Sequence, residues 1–128
     1  MIVDSSALIA VLVEEPGYEP AWETLKGADA IGIGTPTLVE TGMVMERLAP
    51  KRGRLLLMSL LDDLEAIAVP FSDAHWPVAI DAFLRFGKGR HAAALNLGDC
   101  LTYAVAKVAG EPLLCLGDDF AQTDLALV

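Results

Sequence analysis

Met1-Ile2-Val3-Asp4-Ser5-Ser6-Ala7-Leu8 opens the chain, and the reading of this stretch decides the fold. A short apolar run ends in Asp4, and the Ser5-Ser6 pair predicts a cap for a helix through Leu8, Ile9, Leu12 and Val13. A strand that passes directly into a helix is the first half of a crossover unit, and the alternation recurs downstream. Pro16-Gly17 breaks the helix, and a second short helix through Trp22 and Leu25 ends near Gly27. Ala30-Ile31-Gly32-Ile33 reads as a second strand. Thr35-Pro36 then places a capping hydroxyl before a proline suited to the first helical turn. Leu38, Val39, Gly42, Met43 and Met45 continue that helix, which puts Glu40 about one turn in.

The second half of the chain repeats the pattern. Lys51 to Leu64 predicts an amphipathic helix, Ala66-Ile67-Ala68-Val69 a third strand, and Ser72 the cap of a helix reaching Phe86. Gly87-Lys88-Gly89-Arg90-His91 is a glycine-rich basic loop. A helix from about Asp99 to Ala109 has one strongly apolar side and is ended by Gly110. Pro112 to Leu116 forms a fourth strand, and Leu125-Ala126-Leu127 is a candidate fifth. Strands joined by helices need crossover connections, so the fold class is α/β: a central, mainly parallel sheet of four to five strands, with helices on both faces. The 128 residues fit one domain, 1–128, without repeat or linker.

Composition narrows the class. The 54% hydrophobic fraction is high, which implies a large interior or apolar surface meant for a partner, and hence a homo-oligomer. No apolar run approaches the roughly 20 residues of a membrane helix, and no basic segment precedes an apolar stretch at the start. A soluble, cytoplasmic protein is expected. Cys100 and Cys115 have no metal-type spacing with each other or with His75 and His91, and read as small hydrophobes. The formal charge of -9 argues against adhesion to nucleic acid by charge alone. Yet seven of the nine basic residues fall in two stretches, Arg47 to Arg54 and Arg85 to Arg90, so positive charge is local.

The acids carry the chemistry. In open parallel sheets, sites form beyond the carboxyl ends of the strands. Asp4 ends the first strand, Glu40 lies near the start of the helix after the second, Asp99 opens a helix, and Asp118 and Asp119 follow the fourth strand. Each alone has an ordinary explanation: a helix cap, a solvated helical residue, a partner of the helix dipole, turn formers. Together they converge on one edge. Clustered carboxylates raise one another's pKa unless a cation holds them ionised, and Mg²⁺ is the hard, oxygen-seeking ion that suits such a set. Such an ion acidifies water for attack on a phosphodiester, so no side-chain nucleophile is required.

These residues resemble VapC toxins of the PIN-domain family. The likeness rests on the opening Met1 to Leu8, the helix bearing Glu40, and Lys88-Gly89-Arg90-His91 leading to Asn96-Leu97-Gly98-Asp99-Cys100. It extends to Gly117-Asp118-Asp119-Phe120 with Thr123-Asp124, and so spans nearly the whole chain. The resemblance implies a PIN-like fold and an endoribonuclease using Mg²⁺, or Mn²⁺ as substitute. It also implies a homodimer and inhibition by a VapB-like antitoxin. The substrate it implies is structured RNA, transfer or ribosomal, whose cleavage stops translation. Asp4, Glu40 and Asp99 map onto the family's acids; the fourth is Asp118 or Asp119, with Asp118 favoured as nearer the strand end. Ser6 matches a hydroxyl beside the metal site. Arg85, Lys88, Arg90 and His91 form a cationic flank suited to RNA phosphates.

Other α/β readings fit less well. A HAD-type phosphatase needs an Asp where Ser6 stands, and a receiver domain needs one where the third strand ends in Val69-Pro70-Phe71. Gly32-Ile33-Gly34 lacks the third glycine of a dinucleotide fold, and Gly87-Lys88-Gly89-Arg90 lacks the Ser/Thr of a P-loop. The rival of a different class is a PIN-like module without catalysis that only binds an antitoxin or RNA.

Overall fold

The computed structural model describes residues 1–128. In chain order the elements are β1 (Ile2–Val3), α1 (Ser5–Leu12), α2 (Glu19–Gly27), β2 (Gly32–Gly34), α3 (Thr35–Leu48), α4 (Gly53–Asp63), β3 (Ile67–Val69), α5 (Trp76–Phe86), α6 (Leu97–Ala109) and β4 (Leu113–Leu114). The strands lie in the order β3-β2-β1-β4, and every pairing is parallel. The expected fifth strand is reduced to a single bridge between Leu113 and Leu127.

Alternation of side chains along these short strands builds two cores. Ile2 and Leu113 face α5 and α6, where Ala82, Phe86, Tyr103 and Val105 pack. Val3, Ile33 and Leu114 face the opposite layer, with Leu8 of α1, Leu25 of α2 and Leu60 of α4. The result is three layers, α/β/α. Helix α3 packs against α1 and α4 and also reaches α6, so it spans the edge where both layers meet.

Helix ends differ from expectation in an instructive way. Asp4, not Ser5 or Ser6, caps α1. Gly34 precedes α3, while the Thr35 hydroxyl instead accepts the Phe71 N–H at 3.3 Å. Helix α5 starts four residues after Ser72, which turns the chain through bonds to His75. Helix α6 begins at Leu97 under an Asn96 cap, ahead of the expected start at Asp99, and ends at Gly110 in the left-handed conformation (φ 65°) that glycine adopts without penalty.

Candidate active site

The strand order reverses at β1. From there the chain moves outward to β2 and β3, then returns to the other side of β1 with β4. The region past the carboxyl ends of β1 and β4 is therefore the switch point where parallel sheets place their sites. Asp4 directly follows β1 there. Its backbone N–H still donates to the Leu114 carbonyl (2.9 Å), while its side chain turns under α1. One carboxylate oxygen accepts from the Ser6 N–H (3.1 Å) and the Ser6 hydroxyl (2.6 Å). The other accepts from the Thr102 hydroxyl (3.1 Å). Asp4 is only 6% exposed, and such a carboxylate needs these donors. Ser6 also accepts the Leu116 N–H (3.0 Å), which ties the end of β4 to the start of α1. Its expected supporting place is thus beside Asp4.

Glu40 projects from α3 and accepts the Ser5 hydroxyl at 2.9 Å. Its second oxygen lies against Gly98, where an added Cβ would collide with it. The missing side chain at Gly98 lets the Glu40 carboxylate touch the first turn of α6. In that turn Asp99 and Asn96 form a reciprocal capping box: Asp99 N–H donates to Asn96 (2.9 Å), and Asn96 N–H donates to the Asp99 carboxylate (3.0 Å). Burial, opposed by this N–H, and the charges of Asp119, Asp4 and Glu40 push the Asp99 carboxyl up to about 6.

Asp118 and Asp119 are both exposed, beyond Gly117 with its positive φ of 86°. The Asp118 carbonyl accepts the Ala121 N–H (3.2 Å) in a turn. Asp119 is the one whose charge acts on the site. It raises Asp99, and after burial and the Asp4 charge it helps push the half-buried Cys115 thiol up to about 11. Asp118 does neither. The charge that reaches Asp99 is therefore that of Asp119, whereas the sequence favoured Asp118 as the fourth acid.

No lysine or arginine pairs with Asp4, Glu40, Asp99 or Asp119; every ion pair of the chain lies elsewhere. Asp99 feels the charges of the other three, yet no three of the acids are drawn into a ready-made ligand set. Like charges without a counter-ion repel one another. The donors are carboxylate and hydroxyl oxygens, which suits a hard divalent cation and not zinc.

The cationic flank divides. Arg85 is committed to Asp124 (3.4 Å) and Asp81 (3.6 Å), and His91 accepts the Ala93 N–H (3.0 Å) with its ring edge-on to Phe86. Arg90 lies over the Phe83 ring (5.0 Å to the centroid), and Lys88 has no acidic partner. Lys88 and Arg90 are the exposed cations of this loop whose charge no carboxylate neutralises.

Sequence reasoning missed Ser5, Thr37, Gly98 and Thr102. Thr102 is three residues after Asp99, and Thr37 three before Glu40, which puts each hydroxyl on the helical face of its acid. The two hydroxyls lie 3.1 Å apart, and since Thr102 donates to Asp4, Thr37 donates to Thr102. That spacing was the available signal.

The sequence matches the PIN domain over residues 1–125. Ribonuclease VapC30 of Mycobacterium tuberculosis is 42% identical over 133 residues, covering 100% of this chain and 98% of its own. Among solved structures, VapC20 of M. tuberculosis, described as a sarcin-ricin loop cleaving toxin, superposes with a TM-score of 0.81. It is 15% identical and covers 99% of this chain and 97% of its own. VapBC2 of Rickettsia felis, bound to a promoter DNA fragment, gives 0.77 at 17% identity, with 99% and 96% covered. The chain belongs to the PIN-domain family, within its VapC group.

Proposed function

We propose that this chain is a divalent-metal-dependent endoribonuclease, the toxin of a toxin–antitoxin pair. One observation carries the reading: four carboxylates from four separated parts of the chain share one edge of the sheet with no basic side chain to neutralise them. The relatives of about 40% identity are named VapC ribonucleases, which supports RNA as the substrate class. Asp4, Asp99 and Asp119, with Glu40 beside them, would hold Mg²⁺, or Mn²⁺ in its place. When bound, the ion supplies the positive charge that keeps these acids ionised, and it acidifies water for attack on a phosphodiester.

The remaining steps belong to the chain. Ser6 and Thr102 engage both oxygens of Asp4 and hold its carboxylate in one orientation. Ser5 holds one oxygen of Glu40, and the other lies against Gly98 in the first turn of α6. Lys88 and Arg90 position RNA phosphates at the entrance. Transfer or ribosomal RNA is the expected target, with translation the process stopped. A VapB-like antitoxin and a second copy of the chain are the expected partners, and both have apolar surface available: Val39 and Met43 on α3, Leu55 and Met58 on α4, Ile80 and Leu84 on α5 are all exposed. No helix is long and apolar enough to cross a membrane.

The test is cleavage of end-labelled transfer and ribosomal RNA with Mg²⁺ or Mn²⁺, EDTA as control and Asp4→Asn as blank. Metal-dependent cleavage abolished by Asp4→Asn is the expected result. RNA binding without cleavage under every metal would establish the non-catalytic alternative and overturn the proposal.

A further inference from the structure

Asp119 differs from the other three acids. Hydroxyl or amide donors restrain the carboxylates of Asp4, Glu40 and Asp99, whereas no hydrogen bond restrains that of Asp119. Its segment, 117–124, contains no helix or strand. Something else must set where Asp119 stands relative to Asp99. One hold is Phe120, buried in the α5–α6 core at 2% exposure. The other is a polar clamp that the proposed chemistry does not use.

That clamp is built on Asp124. One of its oxygens accepts the Tyr103 phenol at 2.7 Å. The other accepts the Lys107 ammonium at 2.8 Å and lies 3.4 Å from the Arg85 guanidinium. The Lys107 hydrogen bond, opposed by burial and aided by Tyr103, holds the Asp124 carboxyl down at about 2, so it is ionised throughout the working range. Asp99, Tyr103 and Lys107 are spaced by four on α6 and form one stripe of that helix. The stripe that begins with a site acid therefore ends by gripping the segment that carries another.

We infer that Asp124 is a positioning residue: gripped by Tyr103 and Lys107, it sets the placement of Asp119 opposite Asp99. The inference rests on the proposed ligand role of Asp119. The tail beyond the clamp is held separately: the Leu113 N–H donates to the Ala126 carbonyl (2.9 Å) and the Val128 N–H to the Leu113 carbonyl (3.0 Å). Releasing Asp124 thus loosens 117–124 and leaves the end of the chain docked. Tyr103 is fully buried, so Tyr103→Phe removes the phenol hydroxyl and keeps the packing, while Lys107 lies at the surface.

The experiment uses the full chain without RNA. Mn²⁺ is titrated while the thermal midpoint is followed, and amide hydrogen exchange of 117–124 is measured in metal-free protein. Asp124→Ala, Tyr103→Phe and Lys107→Met should each speed exchange in 117–124. Each should also raise the Mn²⁺ concentration for half-maximal stabilisation, about tenfold for Asp124→Ala, the usual scale for supports of a metal ligand. Asp124→Asn, which still accepts from Tyr103, should recover part of both effects. Asp119→Asn serves as reference. If it responds to Mn²⁺ as the parent does, the ligand role of Asp119 falls and this inference with it. If Asp119→Asn loses the response while the three clamp variants keep the parental Mn²⁺ midpoint, the inference alone is overturned and the clamp is only a staple. Should Asp124→Ala fail to fold, Tyr103→Phe and Lys107→Met decide the matter.

Discussion

Replacing Asp99 by Asn should stabilise the metal-free protein, although Asp99 belongs to a helix cap. The carboxyl is raised from 3.8 to about 6, which corresponds to about 3 kcal/mol of unfavourable charge in the folded state. Asp99 is only half-buried, so solvent screening reduces this to roughly 1.5 kcal/mol. Asn keeps the acceptor for the Asn96 N–H but loses a negative charge at the start of α6, about 0.5 kcal/mol. The balance is a gain of about 1 kcal/mol at neutral pH, or about 4 °C for a chain of this size. The sign with pH follows from the raised value. The folded state binds the proton more tightly, so the parent loses stability as pH rises from about 4 to about 6 and carries the full penalty above that. The advantage of Asp99→Asn should open across the same window and level off at neutral pH. With Mg²⁺ at a hundredfold excess over its dissociation constant, the parent gains about 2.7 kcal/mol and the variant far less, so the order reverses. Calorimetry at pH 4.5 and 7.5, with EDTA and with Mg²⁺, reads all four values. A variant that is less stable than the parent under every condition would show Asp99 to be a cap and nothing more.

Three further outcomes are expected. Thr102→Val strips a donor from buried Asp4 and the acceptor from Thr37, so it should lower stability by about 1–2 kcal/mol and weaken Mn²⁺ binding about tenfold; denaturant midpoints with an unchanged Mn²⁺ response would deny Thr102 its supporting role. Gly98→Ala improves helix propensity by up to about 1 kcal/mol yet pushes Glu40 aside, and should therefore reduce RNA cleavage toward the Glu40→Gln level without loss of thermal stability; parental cleavage rates would show the contact to be idle. Lys88→Ala and Arg90→Ala should each reduce the salt dependence of RNA binding by about one phosphate contact and leave Mn²⁺ stabilisation intact, and an unchanged salt slope would remove them from the RNA path.

The strands were legible because each is an apolar run closed by an acid, glycine or proline; burial between helix layers demands such runs in the inner part of a parallel sheet, while β3 at the edge keeps Ile67 exposed. Their ends were not. The second strand sits at Gly32–Gly34, not Ala30–Ile33, because register with Ile2 and Ile67 selects the segment. Caps misled for a related reason: Asp4, Ser5 and Ser6 all carry capping oxygens, and only the fold decides that Asp4 caps while Ser5 turns to Glu40. That Asp4 and Glu40 would come near Asp99 was readable from their places along the strands and helices. Which of Asp118 and Asp119 would bear on Asp99 was not, since both follow Gly117 in an irregular segment. Arg85, taken as part of an RNA-binding flank, is engaged by Asp124, a pairing across 39 residues that no local pattern reveals.

The asymmetry of the four acids has a physical logic. Asp4, Glu40 and Asp99 are fixed by hydroxyls or amides from within a turn of their own or a neighbouring helix, and so are already oriented before any ion arrives. Fixing the fourth as rigidly would hold four like charges together in the metal-free protein, where the charges of Asp119, Asp4 and Glu40 already add to the burial that raises Asp99 to about 6. An exposed Asp119 on an irregular segment lets that repulsion relax by movement of one element. On the proposed reading, a bound ion would supply the energy to draw it in. Such an arrangement requires a limit on how far the segment travels, and Phe120 on one side and Asp124 on the other provide it.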